Sequence, residues 1–75
     1  MNIDELNAAI AEEFEIDVND ITPDASVKDT LELDSLSLLD LISVVHDVTG
    51  CTVKGTDVSH IATFAQLYEY IEQCS

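Results

Sequence analysis

Residues 35–48, SLSLLDLISVVHDV, are the most apolar segment of the chain and decide its architecture. With successive side chains turned by about 100° around a helix, Leu38, Leu41, Ile42, Val45 and Val48 share one broad side. Opposite them runs a narrow stripe of Ser37, Asp40, Ser43 and Asp47, joined by Leu36 and Val44, which are apolar yet directed at water. Such a pattern suits a central helix with one exposed ridge. Gly50 follows it and tolerates the left-handed conformation that commonly ends a helix.

Upstream, Ile3, Leu6, Ile10 and Phe14 recur at three- and four-residue spacing, the mark of one helix face, and Asn2 with Glu5 forms a capping pair. Glu12, Glu13 and Glu15 flank that face as solvated surface. From Ile16 to Asp34 the periodicity fades and Pro23 interrupts any helix. Ile16, Val18, Ile21, Val27, Leu31 and Leu33 there read as anchors beneath a long crossover loop. Downstream, Gly55, Thr56 and Asp57 offer a turn and cap for a short helical piece through Ile61. Thr63 and Gln66 have capping-box spacing ahead of the stripe Phe64, Leu67, Ile71 and Cys74. The expected fold class is all-α: a small four-helix bundle of three main helices and one short one, in a single domain over residues 1–75.

Seventy-five residues support one small core, so function must lie on the surface or on something attached to it. Sixteen acids against two bases give a net charge of -14, which repels nucleic acid and anionic membranes and favours partners with basic patches. The same charge leads to the expectation of a monomer. No apolar run reaches the length of a membrane span and no charged and apolar leader opens the chain, so a cytoplasmic protein without membrane insertion is expected. Cys51 and Cys74 lack CxxC spacing and histidine companions, which argues against a zinc site; at this low cysteine content the expectation is two reduced thiols. No metal site is expected.

The residues that carry chemistry are Asp34-Ser35-Leu36, where the loop meets the central helix. Asp34 is placed to cap the helix, and Ser35 lies in its first turn, where backbone N–H groups and the macrodipole favour a phosphate. On the tripeptide alone, a plain helix cap is an adequate reading.

Residues 21–36, ITPDASVKDTLELDSL, resemble the stretch that leads into the modified serine of acyl carrier proteins, an Ile-Thr-Pro-acid turn followed by Leu-Gly-x-Asp-Ser-Leu. The similarity runs on through Gly50, Val53, Asp57, Ile61 and Thr63-Phe64. What the resemblance implies is a carrier whose serine, here Ser35, receives 4'-phosphopantetheine from coenzyme A through a phosphopantetheinyl transferase. The arm then presents acyl groups as thioesters to acyl-transfer and synthase enzymes, in fatty-acid or related lipid or polyketide synthesis. By the same resemblance Asp34 helps place the transferase's metal and cofactor, and Leu36, Asp40, Val44 and Asp47 form the partner-facing ridge. Leu38, Val45, Val53 and Ile61 match positions that can part around an acyl chain, and as residues they read equally as core.

The chain departs from that pattern at Glu32, where the family has Gly, at Thr30, where an acid is common, and at Thr49, where a core aromatic is frequent. Ser37 and His46 occupy positions often acidic in fatty-acid carriers, and eleven of the sixteen acids precede Ser35. A specialised carrier is therefore expected, one whose partners rely on Leu36, Val44 and shape more than on charge. An aminoacyl or D-alanyl carrier and an unmodified acidic adaptor are the alternatives. Apart from Asp47 beside His46 and Asp57 three residues before His60, the two histidines have no nucleophile or second ligand at useful spacing, and no catalytic residue is assigned.

Overall fold

The computed structural model describes residues 2–74. Three long helices dominate: α1 (Ile3–Phe14), α3 (Ser35–Thr49) and α5 (Phe64–Gln73), with the short α2 (Val27–Leu31) and α4 (Gly55–Val58) between them. No strand occurs among the described residues.

The helix ends follow the sequence signals closely. The Asn2 side chain accepts a hydrogen bond from the Glu5 N–H at 3.1 Å, opening α1. Thr63 and Gln66 form a complete capping box before α5. Gly50, at φ 78°, closes α3 in the left-handed conformation.

Leu6 and Ile10 of α1, Leu41 and Val45 of α3, and Phe64, Leu67 and Ile71 of α5 meet in one buried core, closed by Val53, Val58 and Ile61 from the α4 region. Leu38, Ile42 and Val48 pack on its edge, as the wheel of α3 requires. Ile3 of the predicted α1 stripe instead remains exposed at the helix start.

The crossover between α1 and α3 is more ordered than its sequence suggests. A 3-10 turn spans Val18–Asp20, and Ser26 caps α2 by accepting from the Asp29 N–H at 3.3 Å. Five residues are too few to show helical periodicity, so α2 left no sequence signal. Ile21, Val27 and Leu31 are buried anchors as expected, whereas Val18 faces solvent. The crossover is tied to the start of α5 by main-chain bonds from Val27 N to Ala62 O (3.0 Å), Phe64 N to Ala25 O (3.2 Å) and Ala65 N to Pro23 O (3.1 Å).

Three further expectations are corrected. The short helix ends at Val58 rather than Ile61, and Asp57 does not cap it; its carboxylate accepts a hydrogen bond from the Tyr70 hydroxyl at 2.7 Å. Tyr70 keeps its proton beyond the usual tyrosine range because that bond to Asp57 requires the protonated hydroxyl. Most directly, Cys51 and Cys74 are not free thiols but a disulfide, with Cα atoms 5.8 Å apart. Low cysteine content is only a statistical guide, and the fold brings the C-terminal ends of α3 and α5 together, which puts these two positions within bridging range.

Candidate functional site

Ser35 opens α3 and its side chain is exposed. Asp34 precedes it in extended conformation, and its Oδ1 accepts hydrogen bonds from the N–H groups of Leu36 (2.9 Å) and Ser37 (2.8 Å). Those bonds, the one from the Ser37 N–H above all, hold the Asp34 carboxyl below the ordinary aspartate range. Two of the first-turn donors that sequence reasoning left open to a phosphate are thus taken by the cap. The positive end of the helix remains.

Beside Ser35 lies a hollow of about 200 Å³ between α2, α3 and α4. Leu33, Leu38 and Val58 supply its apolar wall, and Lys28, Asp34 and Ser59 its polar rim. Gly55 faces Leu38 across it: a Cβ on Gly55 would stand 3.9 Å from Leu38 Cδ2. Of the four residues expected around an acyl chain, Leu38 reaches this hollow, whereas Val45, Val53 and Ile61 lie in the closed core.

Along the outer face of α3, Leu36, Asp40 and Asp47 are exposed, in keeping with the ridge. Val44 is not a free apolar knob, because it is half-buried against the core. Leu39 takes that place: it is 63% exposed, next to Leu36 at 75%. Leu39 stands one turn from Leu36 on the flank away from Val44, and attention to the most apolar arc alone passes over it. Lys28 and Ser59 also escaped sequence reasoning, since only the folding of α2 and α4 brings them beside Ser35.

His46 and His60 are exposed. Among the described residues no group of three or more His, Cys, Asp or Glu could hold a metal ion, and no helix is long and apolar enough to cross a membrane.

The hollow, the exposed hydroxyl and the helix terminus fit a flexible arm carried on a phosphate. Comparison with known proteins agrees. The family described as "Phosphopantetheine attachment site" matches residues 4–71. The chain is 32% identical over 68 residues to the acyl carrier protein of Exiguobacterium sp., a match that covers 91% of this chain and 86% of that protein. It is 31% identical over 68 residues to the acyl carrier protein of Thermotoga maritima, covering 91% and 84%. It is also 31% identical over 74 residues to the meromycolate extension acyl carrier protein of Mycobacterium leprae, covering 93% and 64%. A family match that runs through almost the whole helical bundle makes this chain a member of the acyl carrier protein family, carriers of covalently attached 4'-phosphopantetheine and not enzymes.

Proposed function

We propose that Ser35 is the attachment point of 4'-phosphopantetheine, and that residues 1–75 act as one carrier domain for acyl intermediates in fatty-acid or related lipid or polyketide synthesis. The observation that carries this reading is the exposed Ser35 hydroxyl in the first turn of a fifteen-residue helix, beside an apolar-walled hollow. When attached, the arm supplies a terminal thiol that holds the cargo as a thioester.

Ser35 Oγ is the atom to be esterified, and its exposure leaves it open to a phosphopantetheinyl transferase. Asp34 fixes the helix start on which the serine rides, and its ionised carboxylate is suited to face the transferase's metal. Leu36, Asp40 and Asp47 present a mixed apolar and acidic ridge to partners with basic patches, with Leu39 extending its apolar part and Val44 backing it from the side. The hollow at Leu38 offers a first resting place for the arm, and deeper shelter for an acyl chain requires Val45, Val53 and Ile61 to part. A monomer in the cytoplasm, where coenzyme A is available as arm donor, completes the reading; the Cys51–Cys74 bridge is the feature that runs against that compartment, since thiols there are kept reduced.

The ridge carries fewer charges than a fully acidic one, with Ser37 and His46 among its neighbours. We take the chain as a specialised carrier on that account. Restoring charge with Ser37→Asp is expected to change which synthases bind; equal binding by every partner would count against specialisation.

Intact-protein mass spectrometry after incubation with coenzyme A, magnesium and a broad-specificity transferase tests the attachment. The expected result is one phosphopantetheine adduct on wild type and none on Ser35→Ala. An adduct on Ser35→Ala, or none on wild type with several competent transferases, would refute it.

A further inference from the structure

A phosphodiester on Ser35 would sit in an unfavourable electrostatic setting. Asp34 is its immediate neighbour and carries a negative charge, and its Oδ1 already takes the N–H groups of Leu36 and Ser37, leaving them unavailable to the phosphate oxygens. Around it the chain holds sixteen acids and two bases. Like charges this close raise the free energy of the attached state unless a cation stands near.

One cation does. Of the two bases, Lys28 lies on the wall of the hollow with Asp34 and Ser35, and it is the only basic side chain there among the described residues. Its backbone is held firmly: the Lys28 carbonyl accepts from the Leu33 N–H at 3.0 Å and from the N–H of Glu32. The bond from Leu33 ties Lys28 to the segment leading into Ser35. Its side chain is exposed and makes no hydrogen bond within the described residues. An anchored backbone with a free ammonium on a long stem is suited to meet a phosphate as a point charge.

We infer that Lys28 is a positioning residue, whose ammonium holds the phosphodiester borne by Ser35 at the rim of the hollow and directs the arm along the Leu33, Leu38 and Val58 wall. This rests on the proposed attachment at Ser35. Lys28 touches neither the thiol nor the cargo; it sets where the arm begins.

The test uses phosphorus NMR of the loaded protein as wild type, Lys28→Gln, Lys28→Met and Lys28→Arg, titrated from low to molar salt. The phosphodiester resonance of wild type is expected to move with salt as the ion pair is screened. In Lys28→Gln and Lys28→Met it should rest at the wild-type high-salt position throughout, and Lys28→Arg should restore the movement. Amide shifts of Leu33, Leu38, Val58 and Ser59 between unloaded and loaded protein should be large in wild type and collapse in the neutral variants. A purely structural role for Lys28 would instead alter the unloaded protein's melting and leave these readouts alone. Identical salt titrations of wild type and both neutral variants would overturn the inference. If no variant and no wild type shows a phosphodiester resonance, attachment at Ser35 is refuted and the inference falls with it.

Discussion

Breaking the Cys51–Cys74 bridge offers a severe test of how this small domain is held together. The two cysteines are 23 residues apart, and the closed segment contains α4 and α5, so cutting the bridge frees about a third of the chain in the unfolded state. By the loop-closure relation, a segment of that length contributes about 3.4 kcal/mol through the entropy it removes from the unfolded chain. For a domain of this size, that corresponds to a fall in Tm of roughly 14–27 °C. Cys74→Ser is the variant of choice, because Cys74 is exposed while Cys51 is only 3% exposed and can stay in place as a small apolar thiol. Thermal melts followed by circular dichroism would compare oxidised wild type, wild type with reductant, and Cys74→Ser, with thiol counts confirming each state. The last two should melt together, well below the first. If all three melt within about 3 °C of one another, the chain-entropy reasoning fails for this protein.

Two leucines of one helix should behave oppositely: Leu41→Ala, in the closed core, should cost about 2–5 kcal/mol in denaturant unfolding, and Leu36→Ala, on the ridge, within about 0.5 kcal/mol of nothing. Glu32 closes α2 at φ 51°, a left-handed conformation that costs a side chain about 1–2 kcal/mol. Glu32→Gly should therefore stabilise the protein by about 0.5–1 kcal/mol once glycine's greater entropy loss is subtracted, and a lower midpoint in urea would contradict this. Because folding lowers the Asp34 pKa, the ionised cap stabilises the fold above the unfolded-state value and this contribution disappears as pH falls through the folded-state value. Melts of wild type and Asp34→Asn should accordingly differ near neutrality and converge in acid. Added salt or divalent cations should raise Tm by screening the net charge of -14, and a Tm flat across the titration would show that self-repulsion is unimportant here.

Elements with long, periodic apolar patterns and local stop signals were legible without coordinates. The wheel of residues 35–48, the Asn2 and Asp34 caps, the Thr63 and Gln66 box and Gly50 depend on residues within one or two turns of each other, so sequence spacing determines them. Ser35 at a helix start followed from the same local chemistry. What failed depended on distant parts of the chain. Whether Asp57 caps a helix or accepts from Tyr70 was decided by the docking of α5, and the five-residue α2 holds its place through bonds to residues 62–65.

Sequence by itself thus determined an all-α domain, its strong negative charge, and a serine at the head of a central helix, because composition and local hydrogen bonding are short-range properties. Tertiary structure alone decided that Cys51 meets Cys74, that Leu39 rather than Val44 stands beside Leu36 on the open face, and that Lys28 shares a hollow with Ser35. Each of these is a meeting of residues from distant parts of the chain, or the covering of a helix flank by its neighbours. Periodicity along one helix fixes neither, since they arise only when the helices have packed.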